Sequence, residues 1–457
     1  MSRSRTIRFE EYASSGPVTS SVVCQAEEVK PSKSTARFAA SKSHQDNEKY
    51  LAAFDSNPQK ARQPAKVSTE SLPTIAPAAT SIPPLRETHT ETISIDDSAR
   101  TPWLQGPNDP SGRAEAVSAQ PLTCMSLSLD ESEVVVGSCD HALYAIPLRK
   151  TKGKGGSVRT LYTKTSGHGE WVTSVAHLAD DRVVSGGMDS KLCLWEGNRC
   201  EDLTGHAGSI SLVRVYSDNM IVSASYDKTY RVWDGSAGKR AAKNGRERHC
   251  LKGHDAPILD FAVWGGSRLI GGDRNGSVLF FDLSQGAVEK TAKAVHAGHC
   301  TAVLGSCHST DQAFSGGQDG ILRLWDVRSK APVFELACHA GQKGTGAVSF
   351  IQDMPTMEHV VVTGGADGKV QVVDTRMPGQ VRATFSEHST FIYSLHLHHD
   401  LCFSGDGAGM LLVHDLRTDR LCYGLGANRA AVRAIISTQR QLIAAGDDGS
   451  VLIYDFA

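Results

Sequence analysis

Three side chains that together cleave esters and peptides recur along this chain. Histidine, serine and aspartate stand at His168, Ser185 and Asp189, again at His206, Ser223 and Asp227, and again at His299, Ser315 and Asp319. A serine activated by a histidine that an aspartate orients is the arrangement of nucleophilic hydrolysis. One active site needs one such set. Here the set returns several times, each time with a tryptophan six residues after the aspartate, at Trp195, Trp233 and Trp325. A set that returns with a structural period reads as a building element rather than a catalyst. Other chemistry-bearing runs are weaker. Residues Gly364 to Lys369 resemble the start of a phosphate loop, but Val370 occupies the place where serine or threonine would meet a metal. His396, His398, His399 and Asp400 are metal-ligating types, yet they fall at a turn between two β-runs and read as a surface cluster. No catalytic residue, cofactor site or metal site is assigned.

The elements that carry these residues are short β-runs split by Gly/Asp turns. Eight turn positions, spaced between about 38 and 49 residues apart, are Asp140, Asp189, Asp227, Asn275, Asp319, Asp367, Ala408 and Asp448. The matching strand-closing residues are Ile146, Trp195, Trp233, Phe281, Trp325, Val373, His414 and Tyr454. Gly-His precedes four of the turns, at Gly167-His168, Gly205-His206, Gly253-His254 and Gly298-His299, and all but the third of these lead to an aspartate turn. Repeats outside those three depart from the pattern. The first has no Gly-His, the fourth keeps His254 but has Asn275, and the sixth keeps His339 and carries an insertion. The seventh keeps His388 but has Ala408, and the eighth has Asn428 in place of the histidine.

Gly-His followed by Trp-Asp at this period resembles the WD-repeat proteins, and the dipeptides Trp233-Asp234 and Trp325-Asp326 carry the family's signature. The resemblance covers residues 113–457, about 345 of 457. It implies an all-β propeller in which His, Ser, Asp and Trp form a buried hydrogen-bond chain within each blade. It also implies that a strand from before the first repeat, Arg113–Ser118, completes the last blade. Eight repeats then make an eight-bladed ring; seven blades with the first repeat outside is the alternative. In the family the residue before each turn aspartate looks toward the mouth of the central channel. Here Met188, Tyr226, Arg274 and Gln318 are candidates for a partner-binding rim, with Trp171 and Phe391, each three residues after a repeat histidine. Three repeats end in Asp-x-Arg, at Asp326–Arg328, Asp374–Arg376 and Asp415–Arg417. Trp-Asp-x-Arg ends are similar to those by which substrate receptors of a cullin-type ubiquitin ligase meet their adaptor, so Arg328, Arg376 and Arg417 are candidate adaptor contacts.

Residues 1–112 differ in kind. They are rich in Ser, Thr, Ala and Pro with few large apolar residues, and read as a disordered tail that cannot bury enough surface to offset its ordering entropy. Two stretches of it, Ser4–Tyr12 and Lys49–Phe54, have the character of linear docking motifs. A formal net charge of −2 excludes bulk attraction to nucleic acid. Two basic connections, 149–159 and 239–248, keep local phosphate contact open, but they lack interleaved aromatics for base stacking. No apolar run is long enough to span a membrane, and the N-terminus has no apolar leader segment. Eleven scattered cysteines without C-x-x-C spacing read as reduced, which implies cytoplasm or nucleus and leaves cytoskeletal and ciliary assemblies open. The expectation is a non-enzymatic scaffold that binds proteins or peptides. The alternatives are a ubiquitin-ligase substrate receptor and an RNA- or ribosome-associated propeller.

Overall fold

The computed structural model describes residues 99–457, apart from 149–156, 164–165, 218, 237–244, 340–345, 378, 427 and 457. The docking stretches Ser4–Tyr12 and Lys49–Phe54 lie outside the described residues, as does most of each basic connection. Eight four-stranded antiparallel sheets follow one another. They form blade 1 (122–161), blade 2 (172–203), blade 3 (210–252), blade 4 (258–292), blade 5 (300–337), blade 6 (348–385), blade 7 (392–426) and blade 8 (432–455). Each of the first seven is a meander. Their first strands pack against one another in succession, and Val432–Ser437 packs back on Leu122–Leu127, which closes the ring. The protein is an eight-bladed β-propeller.

Closure is covalently out of sequence. Blade 8 has three strands of its own, and Arg113–Ala116 supplies the fourth, pairing Arg113 with Ile453 and Ala116 with Ser450. This removes the open edge that the last repeat would otherwise present. Eight apolar clusters hold the ring, one at each interface between blades. Between blades 1 and 2, for example, Cys124, Val135, Leu143 and Val172 pack with Val183, Cys193 and Trp195. The strands that contribute are almost wholly buried, as at Val134, Val135 and Val136. That is why their sequences read as continuous apolar runs rather than as alternation.

The boundary of the tail needs correction. Residues 99–112 are packed on the propeller, not part of the tail expected to end at 112. Thr101–Gln105 is a short helix opened by a proline in its first turn. Trp103 is 1% exposed, stacks on Phe456 with ring centroids 4.0 Å apart, and meets His398 edge-on at 4.6 Å. Tyr423 donates its hydroxyl to the Trp103 carbonyl at 2.6 Å, and Arg100 pairs with Asp415. The physical reason is the single indole. Burying it against blades 7 and 8 offsets the ordering of a short Pro-rich segment. The same contact corrects the reading of His396, His398 and His399 as a surface cluster. His398 lies beneath Trp103, His396 bonds Ser437 Oγ at 2.7 Å, and Asp400 takes Arg417.

Candidate functional site: the channel mouth

The His–Asp side chains come first because they position everything at the mouth. In blade 2, Trp195 Nε1 donates to Ser185 Oγ at 2.8 Å, and Ser185 meets His168 Nε2 at 2.7 Å. His168 Nδ1 lies 3.0 Å from Asp189. Indole is only a donor and carboxylate only an acceptor, so the proton order runs from Trp through Ser and His to Asp. Blade 3 repeats the chain with Trp233, Ser223, His206 and Asp227 at 2.8–2.9 Å. Each aspartate also receives a backbone N–H from the loop, from Gly169 and Ala207 respectively, which pins loop to turn. Burial pushes both aspartates upward, but the histidine and backbone hydrogen bonds outweigh it and hold them below the usual carboxylate range. Ser185, Ser223 and Ser315 are wholly buried, with each oxygen engaged by both tryptophan and histidine. A hydroxyl so enclosed is not open to a substrate carbonyl. A satisfied polar chain of this kind stiffens the blade instead.

In blade 5 the structure replaces His299 by His296. His296 Nδ1 is 3.0 Å from Asp319, its Nε2 is 2.8 Å from Ser315, and Trp325 completes the chain. Burial pushes Asp319 up, but His296 and the Ala297 and Ile321 amides together draw it down to about 2. His299 instead sits three residues on, beside the mouth, with Nδ1 2.5 Å from the Arg274 carbonyl. The spacing misleads because histidine and serine are 17 residues apart in blade 2 but 19 in blade 5. The extra pair lies in a longer hairpin after the rim, so Gly298-His299 falls where a shorter blade would have its histidine.

Two further turns carry acids that the sequence alignment missed. His254 pairs with Asp273 at 2.9 Å rather than finding Asn275, and His388 pairs with Asp406 at 3.2 Å beside Ala408. In both, the acid stands at the end of the strand, two residues before the expected turn position. Blade 4 also lacks the serine, having Gly271 there. Tyr230 of blade 3 inserts into the space and sets its hydroxyl 3.1 Å from His254 Nε2, so this chain crosses between blades. A Cβ on Gly271 would overlap that hydroxyl. In blade 8, Asn428 replaces the histidine and donates to Asp448 at 2.8 Å. In blade 1, Ser118 reaches Asp140 at 2.6 Å.

With loops and turns pinned, the mouth has eightfold regularity. The residue before each turn donates its N–H to the carbonyl of the residue entering the innermost strand. Met188 bonds Trp171, Tyr226 bonds Ser209, Arg274 bonds Pro257, Gln318 bonds His299 and Gly407 bonds Phe391, all at 2.8–3.1 Å. The expected rim residues therefore occupy two sets of equivalent places around one opening, Met188, Tyr226, Arg274 and Gln318 on the donor side and Trp171 and Phe391 on the acceptor side. Trp171 is 39% exposed.

One signal escaped sequence reasoning altogether. Every innermost strand carries a register shift directly after its first residue, as between Val172 and Ser174 or Val432 and Ala434. The residue skipped is re-aimed out of the ladder. In blades 1, 2, 5 and 6 it is Thr123, Thr173, Thr301 and Ser349. Each donates its hydroxyl around its own blade's carbonyl and the next blade's, Thr173 for instance lying 3.0 Å from Gly186 O and 2.7 Å from Ile210 O. These four fasten neighbouring blades. In blades 7 and 8 the place belongs to Tyr393 and Arg433. The Arg433 guanidinium lies 4.2 Å from the Tyr393 ring centre and grips Asp447 through two bonds of 2.6 and 2.7 Å. Phe391 packs on Tyr393 at 4.6 Å. The structure thus groups Phe391 with Tyr393, Arg433 and Asp447, while Trp171 stands three blades away around the ring. A rigid aromatic pair beside a locked Arg–Asp pair is a surface for apolar and stacking contacts at little ordering cost.

The opposite face carries the Asp-x-Arg ends, and the three differ. Arg328 grips Asp326 at 2.9 and 2.6 Å, and Arg376 grips Asp374 at 3.0 and 2.7 Å. Their side chains are 71% and 65% exposed. Arg417 turns to Asp400 at 2.7 Å, since Arg100 occupies Asp415. A local ion pair accounts for the motif in the first two. The described arginines of the basic connections are also engaged, Arg159 with Glu133, Arg246 with Glu201 and Arg248 with Asp234.

The ring of blades joined through His–Asp loops defines a class, the WD-repeat propellers. The family described as "WD domain, G-beta repeat" matches residues 157–196, 197–234 and 291–326, so three of the blades carry repeats of that family. The chain's relatives are distant. The mitotic checkpoint protein bub3 of Dictyostelium discoideum is 33% identical over 123 residues, 27% of this chain and 34% of that protein. The chain thus matches about a third of that relative's length. The ribosome biogenesis protein YTM1 of Meyerozyma guilliermondii is 25% identical over 367 residues, 72% of this chain and 69% of that protein. Among solved structures, Sqt1 of Saccharomyces cerevisiae has a TM-score of 0.65 at 13% identity, covering 76% of this chain and 99% of that one. This last likeness is one of fold. No helix among the described residues is long and apolar enough to cross a membrane.

Proposed function

We propose that the protein is a scaffold that assembles a multiprotein complex, and that its principal partner is gripped at the channel mouth. The observation that carries this reading is the contrast between a backbone repeated eight times and the side chains set on it. Places before the turns hold Tyr226 and Arg274, and places entering the innermost strands hold Trp171, His299 and Phe391, with Tyr393 and Arg433 just inside. Aromatic residues and arginine held on a rigid frame are the types that dominate protein interfaces. Affinity capture of full-length protein followed by mass spectrometry tests the reading. The double variant Tyr226→Ala/Arg274→Ala, with an unchanged melting temperature, is expected to lose the principal partner. Undiminished recovery from that variant and from Phe391→Ala would remove the mouth as the site.

A second reading is favoured by a relative that matches along most of both chains, a ribosome biogenesis protein. Under it, the partners belong to ribosome assembly. Co-sedimentation of the tagged protein with pre-ribosomal particles in a sucrose gradient supports this reading, and sedimentation only in the light fractions removes it. The adaptor reading rests on Arg328 and Arg376 alone, and loss of a ubiquitin-ligase adaptor on Arg328→Ala is its test.

A further inference from the structure

We propose that the outer hairpin of blade 2 is a binding site for a thiophilic divalent cation of the zinc type, held by Cys193, Cys200 and Asp202. The two strands, Leu192–Glu196 and Arg199–Leu203, pair Cys193 with Asp202 and Trp195 with Cys200. Directly paired residues share a face, and so do alternate residues of one strand, so all three ligand side chains point the same way. Their ligand atoms lie within 4.8 Å of one another. Both sulfurs converge on one oxygen, Cys193 Sγ at 3.7 Å and Cys200 Sγ at 3.4 Å from Asp202 Oδ1. Zinc bonds of about 2.3 Å to sulfur and about 2.1 Å to oxygen, at a tetrahedral angle, would hold sulfur and oxygen about 3.6 Å apart. The two sulfur–oxygen separations are those that the ion would impose.

The same register argues against a disulfide. The cysteines are diagonal, not opposite, and diagonal neighbours stand about 7–8 Å apart at Cα, beyond the roughly 7 Å that a disulfide spans. A metal ion bridges such a pair without moving the backbone. Charge also balances. Two thiolates and a carboxylate are met by a divalent cation and by Lys191, whose ammonium lies 2.8 Å from the other oxygen of Asp202. Binding releases the two thiol protons to solvent. Asp202 is exposed and Cys200 half-buried at the outer edge of the blade, where a water molecule would supply the fourth ligand. A second group, Cys307, His308 and Asp353, also draws together among the described residues. There, however, Asp353 accepts from Ser306 Oγ and the Cys307 N–H, and His308 Nε2 lies 2.7 Å from the Met354 carbonyl.

Cobalt(II) titration of the reduced full-length protein is the test, followed by displacement with zinc. A thiolate-to-cobalt absorption that saturates at a single equivalent and is bleached by zinc is expected. Cys307→Ser is expected to keep it, Cys200→Ser to abolish it, and Asp202→Asn to weaken affinity by about tenfold or more. Melting in chelator checks that each variant is folded, and zinc is expected to raise the melting temperature of the wild type but not of Cys200→Ser. The proposal is overturned if the wild type shows no such absorption, in which case the thiols are only hydrogen-bond donors to Asp202. It is also overturned if folded Cys200→Ser or folded Asp202→Asn binds cobalt as the wild type does.

Discussion

His296 and His299 are three residues apart, and only one belongs to the polar chain of blade 5. Substituting each with alanine separates them. His296→Ala removes the 2.8 Å bond to Ser315 and the 3.0 Å bond to Asp319, both inside a site where the imidazole is 2% exposed. A neutral bond contributes about 1 kcal/mol and one to a charged group about 1.5–3 kcal/mol. A small cavity adds to this, while Arg323, 3.1 Å from Asp319, stays to balance the carboxylate. A loss of about 4 kcal/mol follows. Over roughly 350 residues, with about 2 cal/mol/K of unfolding entropy each, that lowers Tm by about 5 °C. His299→Ala removes the bond to the Arg274 carbonyl from a half-buried place at the rim. About 1 kcal/mol, or roughly 1 °C, is expected. Differential scanning calorimetry of both variants reads the contrast directly. If His299→Ala proves the more damaging, the assignment of His296 to the chain is wrong, and with it the placing of His299 on the rim.

Three other outcomes follow from named contacts. Trp103→Ala empties the space between Phe456, His398 and Phe403 and is expected to cost about 3–5 kcal/mol, with faster hydrogen exchange in blades 7 and 8; an unchanged unfolding curve refutes the packing of residues 99–112. Gly271→Ala drives the Tyr230 hydroxyl from His254 and is expected to destabilise by on the order of 3 kcal/mol, partly relieved when combined with Tyr230→Phe. If the single variant unfolds at the wild-type temperature, the crossing between blades 3 and 4 is not a support. Burial holds His396 at about 4, and burial followed by the neighbouring histidines holds His398 at about 3. Their folded values lie below the ordinary value near 6.5, so the unfolded chain takes up the protons first. Their contribution is fully present above pH about 6.5 and is lost as pH falls toward about 4, at up to about 1.4 kcal/mol per pH unit for each. A melting temperature that stays level across that window counts against the burial of this pair.

The period of Gly, Asp and aromatic residues marked eight repeats, with their turns and their buried strands. Those features are local or nearly so: a turn needs its own Asp or Gly, and a buried strand needs its own apolar run. That all eight form blades, rather than seven, and that Arg113–Ala116 closes the last of them are long-range relations, the closing strand having been expected only through the family resemblance. The period also identified the chains of blades 2 and 3, whose loops have the common length. Tertiary structure decided the rest, because there the partner is chosen by space rather than by spacing. A longer hairpin moved the working histidine from 299 to 296, and strand ends brought Asp273 and Asp406 to their histidines. A missing side chain at Gly271 admitted a tyrosine from the preceding blade. Trp103 has no periodic neighbour to announce it, and it found its pocket only once blades 7 and 8 stood side by side. The bulges that aim Tyr393 and Arg433 into the mouth leave no mark on composition, since a register shift is a relation between two strands. What the repeat determined is the frame; which side chains face a partner was decided by how neighbouring strands and blades meet.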